Sequence, residues 1–316
     1  LAAAGDRARG GTAYVTLEPC AHHGATPPCA DALVRAGIAR VVAPFEDPDP
    51  RVSGRGFAAL RAGGVAVETG IGAAEAASVN AGFLLRQRAG RPLLTLKLAM
   101  TLDGRIATGA GESRWITGGA ARRRVHLMRA THDAVLIGAG TARADDPMLD
   151  VRDLGRATQP VRLVADGALS LPLDGRLAAT ARAQPLWLLH RPGVDPARAA
   201  AWEGVGARLL EVAAAPGGEL DPAALLSALG AAGLTRVLCE GGGRLAAALL
   251  RAGVVDRLAA FTAGRAIGGD GVPGVGALGL SALADAPAFE RRDVLGVGPD
   301  VLTVWERPGL AADLLP

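Results

Sequence analysis

Between residues 93 and 100 the chain alternates. Leu94, Leu96, Leu98 and Met100 fall on one face of an extended segment, and Thr95, Lys97 and Ala99 fall on the other. A period of two over this length predicts a strand with its aliphatic face turned to a core. The opposite face carries Lys97 next to the small Ala99, which leaves room for a ligand. Further apolar runs predict strands at 133–138, 161–165, 186–190, 207–211, 235–240, 256–262 and 300–306, and helical spacing predicts helices at 119–130, 196–202, 221–231 and 244–252. Strands alternating with helices from Leu93 onward predict an α/β fold with a mostly parallel sheet and helices on both faces.

Upstream, strands are expected at 12–17, 40–43 and 65–69, with helices at 29–37, 57–62 and 73–88. Ala89-Gly90-Arg91-Pro92 breaks the last helix and sets a boundary between domains 1–90 and 91–316. Three strands fall short of a full three-layer domain and the first residue is Leu1, so part of the first domain is expected to lie upstream.

Composition narrows the class. At 316 residues, half of them apolar and 21% charged, the chain is neither disordered nor fibrous, and roughly 150 residues per domain suggests two domains. No uninterrupted run of about 18 apolar residues marks a membrane span. Leu1–Gly11, with Asp6, Arg7 and Arg9, does not read as a signal peptide. Three cysteines cannot build a disulfide framework, so a cytoplasmic setting is expected. Net charge is only +3, and Lys97 is the sole lysine among 34 basic residues. The densest basic run, Arg122-Arg123-Arg124, reads as a solvated helix face, so no nucleic-acid partner is expected. A lone lysine in an arginine-using chain points to an amine that a planar guanidinium cannot replace, against the alternative of chance survival on a surface.

Two constellations carry candidate chemistry. In the first, Thr16-Leu17-Glu18-Pro19-Cys20 ends a strand and Thr26-Pro27-Pro28-Cys29 opens a helix, where the dipole favours thiolates. Two thiolates are half of a tetrahedral zinc site. His22 and His23 between them make a self-contained Cys2His site one alternative, and two buried reduced cysteines another. In the second, Gly138-Ala139-Gly140-Thr141 follows a buried strand as a glycine turn. Further on, Arg236–Glu240 is a strand, Gly241-Gly242-Gly243 a turn, and Arg244–Leu250 a helix. Strand, glycine turn and helix N-terminus together suit an anion site, with a simple tight turn as the alternative. Cys239 reads as a buried structural thiol.

Thr-Leu-Glu-Pro-Cys followed, after eight intervening residues, by the cysteine of Pro-Pro-Cys resembles the deaminase half of the bifunctional riboflavin-biosynthesis deaminase–reductases. The run Lys97–Ala107, Ser113–Gly118, Val125–Ala130, Gly140–Pro147 and Glu240-Gly241-Gly242 resembles their reductase half, in the same order. The resemblance implies a truncated cytidine deaminase-like α/β/α domain followed by a dihydrofolate-reductase-like α/β domain. It implies Cys20 and Cys29 as zinc ligands. The third ligand and the general acid/base of that superfamily come from a His-x-Glu, and none of the five histidines here is followed by that pattern. In the family this motif lies a few residues before the position of Leu1, so the polypeptide as it stands is expected to lack deaminase activity.

For the reductase half the resemblance implies NADPH, with Ala99, Trp115, Thr141 and Asp145 on the cofactor and Gly242, Gly243, Arg244, Leu245, Ala246, Ala247 and Ala248 at its pyrophosphate. It implies Ser113, Arg129, Leu149, Arg152 and Glu240 on a phosphorylated aminopyrimidine, with Arg129 and Arg152 clamping the sugar phosphate. Lys97 is expected to assist protonation as the ribosyl ring opens. A homo-oligomer is expected. The competing readings are a dihydrofolate-type reductase on the same fold and a remnant of a nucleic-acid deaminase; the latter predicts a basic groove with aromatics, yet residues 1–90 hold only Tyr14, Phe45, Phe57 and Phe83.

Overall fold

A computed structural model describes residues 1–24, 26–155 and 158–315. The chain forms two compact units, one of Leu1–Ala89 together with the stretch from Gly309, the other of Gly90–Pro308.

The first unit runs β1 (Thr12–Tyr14), α1 (Cys29–Arg35), β2 (Arg40–Ala43), α2 (Arg55–Ala62), β3 (Ala66–Thr69) and α3 (Ala73–Ala89). Its three strands pair in parallel in the order β1-β2-β3. Val41, Ala43, Ala30, Leu33, Phe57 and Leu60 form its core. β1 stops at Tyr14, short of the expected Leu17, although Val15 still donates to the Val42 carbonyl.

The second unit runs β4 (Leu93–Thr101), β5 (Arg105–Ala107), α4 (Gly119–Ala130), β6 (Ala134–Gly138), α5 (Ala139–Asp145), β7 (Val161–Ala165), α6 (Arg176–Ala179), β8 (Leu186–His190), α7 (Pro196–Gly204), β9 (Arg208–Glu211), α8 (Pro222–Ala231), β10 (Arg236–Cys239), α9 (Gly243–Arg251), β11 (Arg257–Ala263), β12 (Val272–Pro273), β13 (Glu290–Val297) and β14 (Asp300–Glu306). Nine strands make one sheet in the order β13-β14-β11-β4-β10-β6-β7-β8-β9. From β11 to β9 the pairings are parallel; β14 and β13 add on antiparallel at one edge. The α/β class with a mostly parallel sheet is therefore as read from the pattern. Leu94, Leu96 and Leu98 of β4 pack with Leu136, Val237, Leu225, Leu226 and Leu249 into the core under α8 and α9. On the opposite face, Val135, Ile137, Val164, Leu186 and Leu188 pack with Trp202.

Three expectations need correction. The stretch from Gly309 does not join the second unit: α10 (Leu310–Leu314) packs on α3, and Arg88 Nη1 donates to the carbonyls of Asp313 and Leu315. The supposed glycine turn at 138–141 is a strand-to-helix junction, because Gly138 caps α5 in extended conformation and the helix starts at Ala139. β13 went unread because Glu290-Arg291-Arg292-Asp293 is polar on both faces, as an exposed edge strand tolerates. It pairs with β14 through a turn at Gly298, whose φ is 64°.

Candidate active site

The central strands β4 and β10 lie side by side, and the end of β10, beside the middle of β4 and with α4 alongside, brings charged groups together. In open parallel sheets this edge is where ligands bind. Glu240 directly follows β10, its N–H held by the Leu136 carbonyl. Arg129 comes from the last turn of α4. Its Nε donates to Glu240 Oε1 at 2.6 Å, and its Nη2 to Oε2 at 3.0 Å. The third arm, Nη1, donates to the Asp150 carbonyl at 2.9 Å. Lys97, on the face of β4 away from the aliphatic core, places Nζ 3.9 Å from Glu240 Oε2. All three side chains are largely buried, Lys97 being 16% exposed and Glu240 9%.

Burial sets the electrostatics. It would raise the Glu240 carboxyl by itself, but the charge and hydrogen bonds of Arg129, with Lys97 behind, hold it below the ordinary range. Burial pulls the Lys97 ammonium down, against the attraction of Glu240 and with a push from Arg129. A carboxylate kept charged beside an amine whose proton is held less tightly than usual is the kind of pair found at reactive centres. Cys239, one residue before Glu240, is pushed up to about 12 by burial and is inert.

Around this cluster the predicted residues fall into three groups. Thr141 accepts the Gly242 N–H on Oγ1 at 3.1 Å, so α5 and the turn before α9 meet. Gly242 is the cap of α9, and the N–H groups of Gly243, Arg244 and Leu245 head the helix without intrahelical acceptors. Asp145, at the end of α5, is tied to the 113–117 loop: Arg114 Nη2 donates to its carbonyl at 3.0 Å and lies 3.9 Å from Oδ1. Trp115 on that loop is exposed, with the Arg122 guanidinium 4.5 Å over its ring; it is not a core anchor. Ser113 is half-buried on the same loop. Of the arginine run, Arg123 and Arg124 form the exposed face expected.

Other residues are placed differently from the reading. Ala246 and Ala247 turn into the core, and the Ala246 N–H is already bonded to the Gly242 carbonyl. Of the same run Gly243 is also buried, close against the Pro273 carbonyl, while Arg244 is exposed and Gly242, Leu245 and Ala248 are half-buried. Leu149 is buried, with φ at 54°; its side chain packs under Val135 and Ile137, so its main chain is what borders the cluster. Arg129 gives three of its five N–H groups to Glu240 and the Asp150 carbonyl, which leaves one on each terminal nitrogen for a ligand. Arg152 is 58% exposed and only loosely paired, 3.6 Å from Asp150 Oδ1. Ala99 packs against Ala121, Val125 and Phe261 while keeping some exposure.

His126 and Asp150 were not read as site residues. The signal was there: His126 precedes Arg129 by three positions on a helix, which puts both on one face.

In the first unit, the Cys29 N–H donates to Cys20 Sγ at 3.4 Å, so the two thiols meet where α1 begins. Among the described residues no group of three or more His, Cys, Asp or Glu side chains is arranged to hold a metal. Glu18, from the same motif, is spent on the fold: it accepts the N–H groups of Asp47, Gly54 and Phe57. Also among the described residues, no helix is long and apolar enough to cross a membrane.

Against known proteins, the model of the RibD C-terminal domain matches residues 92–303. The riboflavin biosynthesis protein RibD of Escherichia coli is 42% identical over 95% of this chain and 83% of its own length. Among solved structures, Acinetobacter baumannii RibD is similar with a TM-score of 0.84 and 36% identity, over 96% of this chain and 83% of that one. The Thermotoga maritima diaminohydroxyphosphoribosylaminopyrimidine deaminase/5-amino-6-(5-phosphoribosylamino)uracil reductase is similar with a TM-score of 0.79 and 31% identity, over 95% of this chain and 80% of that one.

Proposed function

The chain belongs to the RibD family of riboflavin biosynthesis, and on that premise we propose that its second unit reduces 5-amino-6-(5-phosphoribosylamino)uracil, the substrate named for the Thermotoga relative, to the ribitylamino product. The observation that carries this reading is the Glu240–Arg129–Lys97 cluster, where β10 ends beside the middle of β4. A buried carboxylate held by a guanidinium keeps its charge, and so accepts hydrogen bonds from the N–H groups of an aminopyrimidine or from sugar hydroxyls. Arg152, exposed and only loosely paired with Asp150, would supply a guanidinium for the phosphate.

NADPH fits the remaining residues. The turn before α9 is drawn tight against α5: a Cβ on Gly242 would lie 3.3 Å from Thr141 Oγ1. The N–H groups of Gly243 to Leu245 would receive the pyrophosphate. Trp115, Asp145 and the exposed part of Ala99 would border the nicotinamide side. When bound, NADPH supplies hydride to the sugar carbon that carries the amino link. The protein's share is orientation and a proton. Lys97, its ammonium destabilised by burial, would give its Nζ proton to the ribose ring oxygen as that ring opens.

For the first unit we propose a deaminase-like α/β/α fold whose zinc would rest on Cys20 and Cys29. Two thiolates do not complete a zinc site, and no deamination step is derived through it; this polypeptide is expected to release no ammonia from the diaminopyrimidine. A cytoplasmic homo-oligomer completes the reading, supported by the exposed edge strand β13 and the exposed Val294 and Val301 beside it.

The test is NADPH oxidation at 340 nm with 5-amino-6-(5-phosphoribosylamino)uracil, with dihydrofolate as the control. Turnover of the first alone supports the proposal. Turnover of dihydrofolate alone, or of neither, overturns it.

A further inference from the structure

The segment from Leu149 to Arg152 is irregular, yet its main chain is held on every side. Gln159 brackets Val151, accepting its N–H at 2.7 Å and donating to its carbonyl at 3.0 Å. Arg129 Nη1 donates to the Asp150 carbonyl. The Arg152 N–H donates to His126 Nδ1 at 3.2 Å, and the same ring nitrogen lies 3.2 Å from the Asp150 carbonyl. His126 and Arg129 thus act from one face of α4 on consecutive parts of one loop. Leu149, at φ 54°, sits in a left-handed conformation that a leucine adopts only where its surroundings impose it.

We propose that His126 is a positioning residue of the substrate site, which as a neutral imidazole accepts the Arg152 N–H on Nδ1 and so fixes where the Arg152 guanidinium stands to meet the substrate phosphate. The proposal rests on the reductase reading above. Neutrality is required, because Nδ1 of an imidazolium is a donor and cannot accept. The surroundings favour it: burial lowers the ring's affinity for a proton, and the charges of Arg129 on the same helix and Arg152 on the loop lower it further, against Asp150. Glu240, from the end of β10, also interacts electrostatically with the ring.

The test compares His126→Leu, which removes the acceptor, with His126→Asn, whose Oδ1 stands the same number of bonds from Cα as Nδ1 and does not titrate. For His126→Leu the KM for 5-amino-6-(5-phosphoribosylamino)uracil is expected to rise about tenfold, the scale of one lost hydrogen bond. Its kcat and its KM for NADPH should stay within about twofold of the parent. His126→Asn is expected to restore the substrate KM to within about threefold. Between pH 7 and 5, the KM of the parent should rise relative to that of His126→Asn; the substrate phosphate titrates equally in both, so the ratio isolates the ring. An unchanged KM in His126→Leu overturns the proposal. So does a loss of kcat and thermal stability that His126→Asn fails to restore, or a ratio flat with pH. Absence of turnover in the parent itself would instead count against the reductase reading.

Discussion

Two buried carboxylates flank β4, and they behave in opposite ways. Asp256 precedes β11 and is fully buried. It accepts from Arg91 Nη1 and Nη2 at 2.7 and 2.8 Å, from the Leu94 N–H at 3.0 Å and from Arg307 Nε at 3.0 Å. Four donors close around it, at the N-terminal ends of the strands. Glu240 stands at the other end of the sheet, where Arg129 takes both its oxygens while Lys97 stops at 3.9 Å, beyond hydrogen-bond distance. The first is a finished clamp that ties the start of β4 to the start of β11 and the end of β14. The second keeps the Lys97 amine within ion-pair reach but outside hydrogen-bond distance, near the edge where parallel sheets take ligands. Saturation marks the structural pair; an unspent donor marks the site.

The comparison breaks most visibly at the clamp. Asp256→Ala leaves two guanidinium groups facing a void and should cost about 3–5 kcal/mol of stability, measured by urea unfolding, while the folded fraction keeps kcat/KM within about threefold. Next comes Glu240→Gln, which removes charge with little change of shape: kcat/KM for the aminopyrimidine should fall by about 100-fold in steady-state assays. Lys97→Ala is expected to lower kcat about tenfold or more. Lys97→Arg should do no better, since a guanidinium holds its proton where an amine can release it; full activity in Lys97→Arg would reduce the lysine to a point charge. The smallest effect is on acid stability. Because Arg129 holds the Glu240 carboxyl below its ordinary value of 4.5, the charged form contributes stability that is fully present above that pH and is lost as pH falls through the folded value. The stability gap between the parent and Glu240→Gln, followed by chemical unfolding, should therefore narrow below about pH 4.5.

Much of this was legible in the sequence, for identifiable reasons. The alternation over 93–100 placed Lys97 on the correct face, and the strand-helix rhythm gave the sheet. What stayed hidden depends on partners distant in the chain. Nothing local shows that Arg129 gives Nε and one Nη2 hydrogen to Glu240, 111 positions away. Nor does the sequence show that Leu149, at a positive φ, turns its side chain inward. Ala246 and Ala247 match the family run by position, but a helix packed on a sheet must bury one face, and theirs is the buried one. The charged edge strand β13 lacked any alternation to read. The first unit differs: its motif was legible, but the residues described there bring only two thiols together.

Isothermal titration of 5-amino-6-(5-phosphoribosylamino)uracil into the parent and into Glu240→Gln, without cofactor, addresses the site most directly. Saturable one-site binding that weakens about tenfold or more in the variant is the predicted result. Equal affinity in both proteins would contradict the assignment of this cluster as the seat of the pyrimidine.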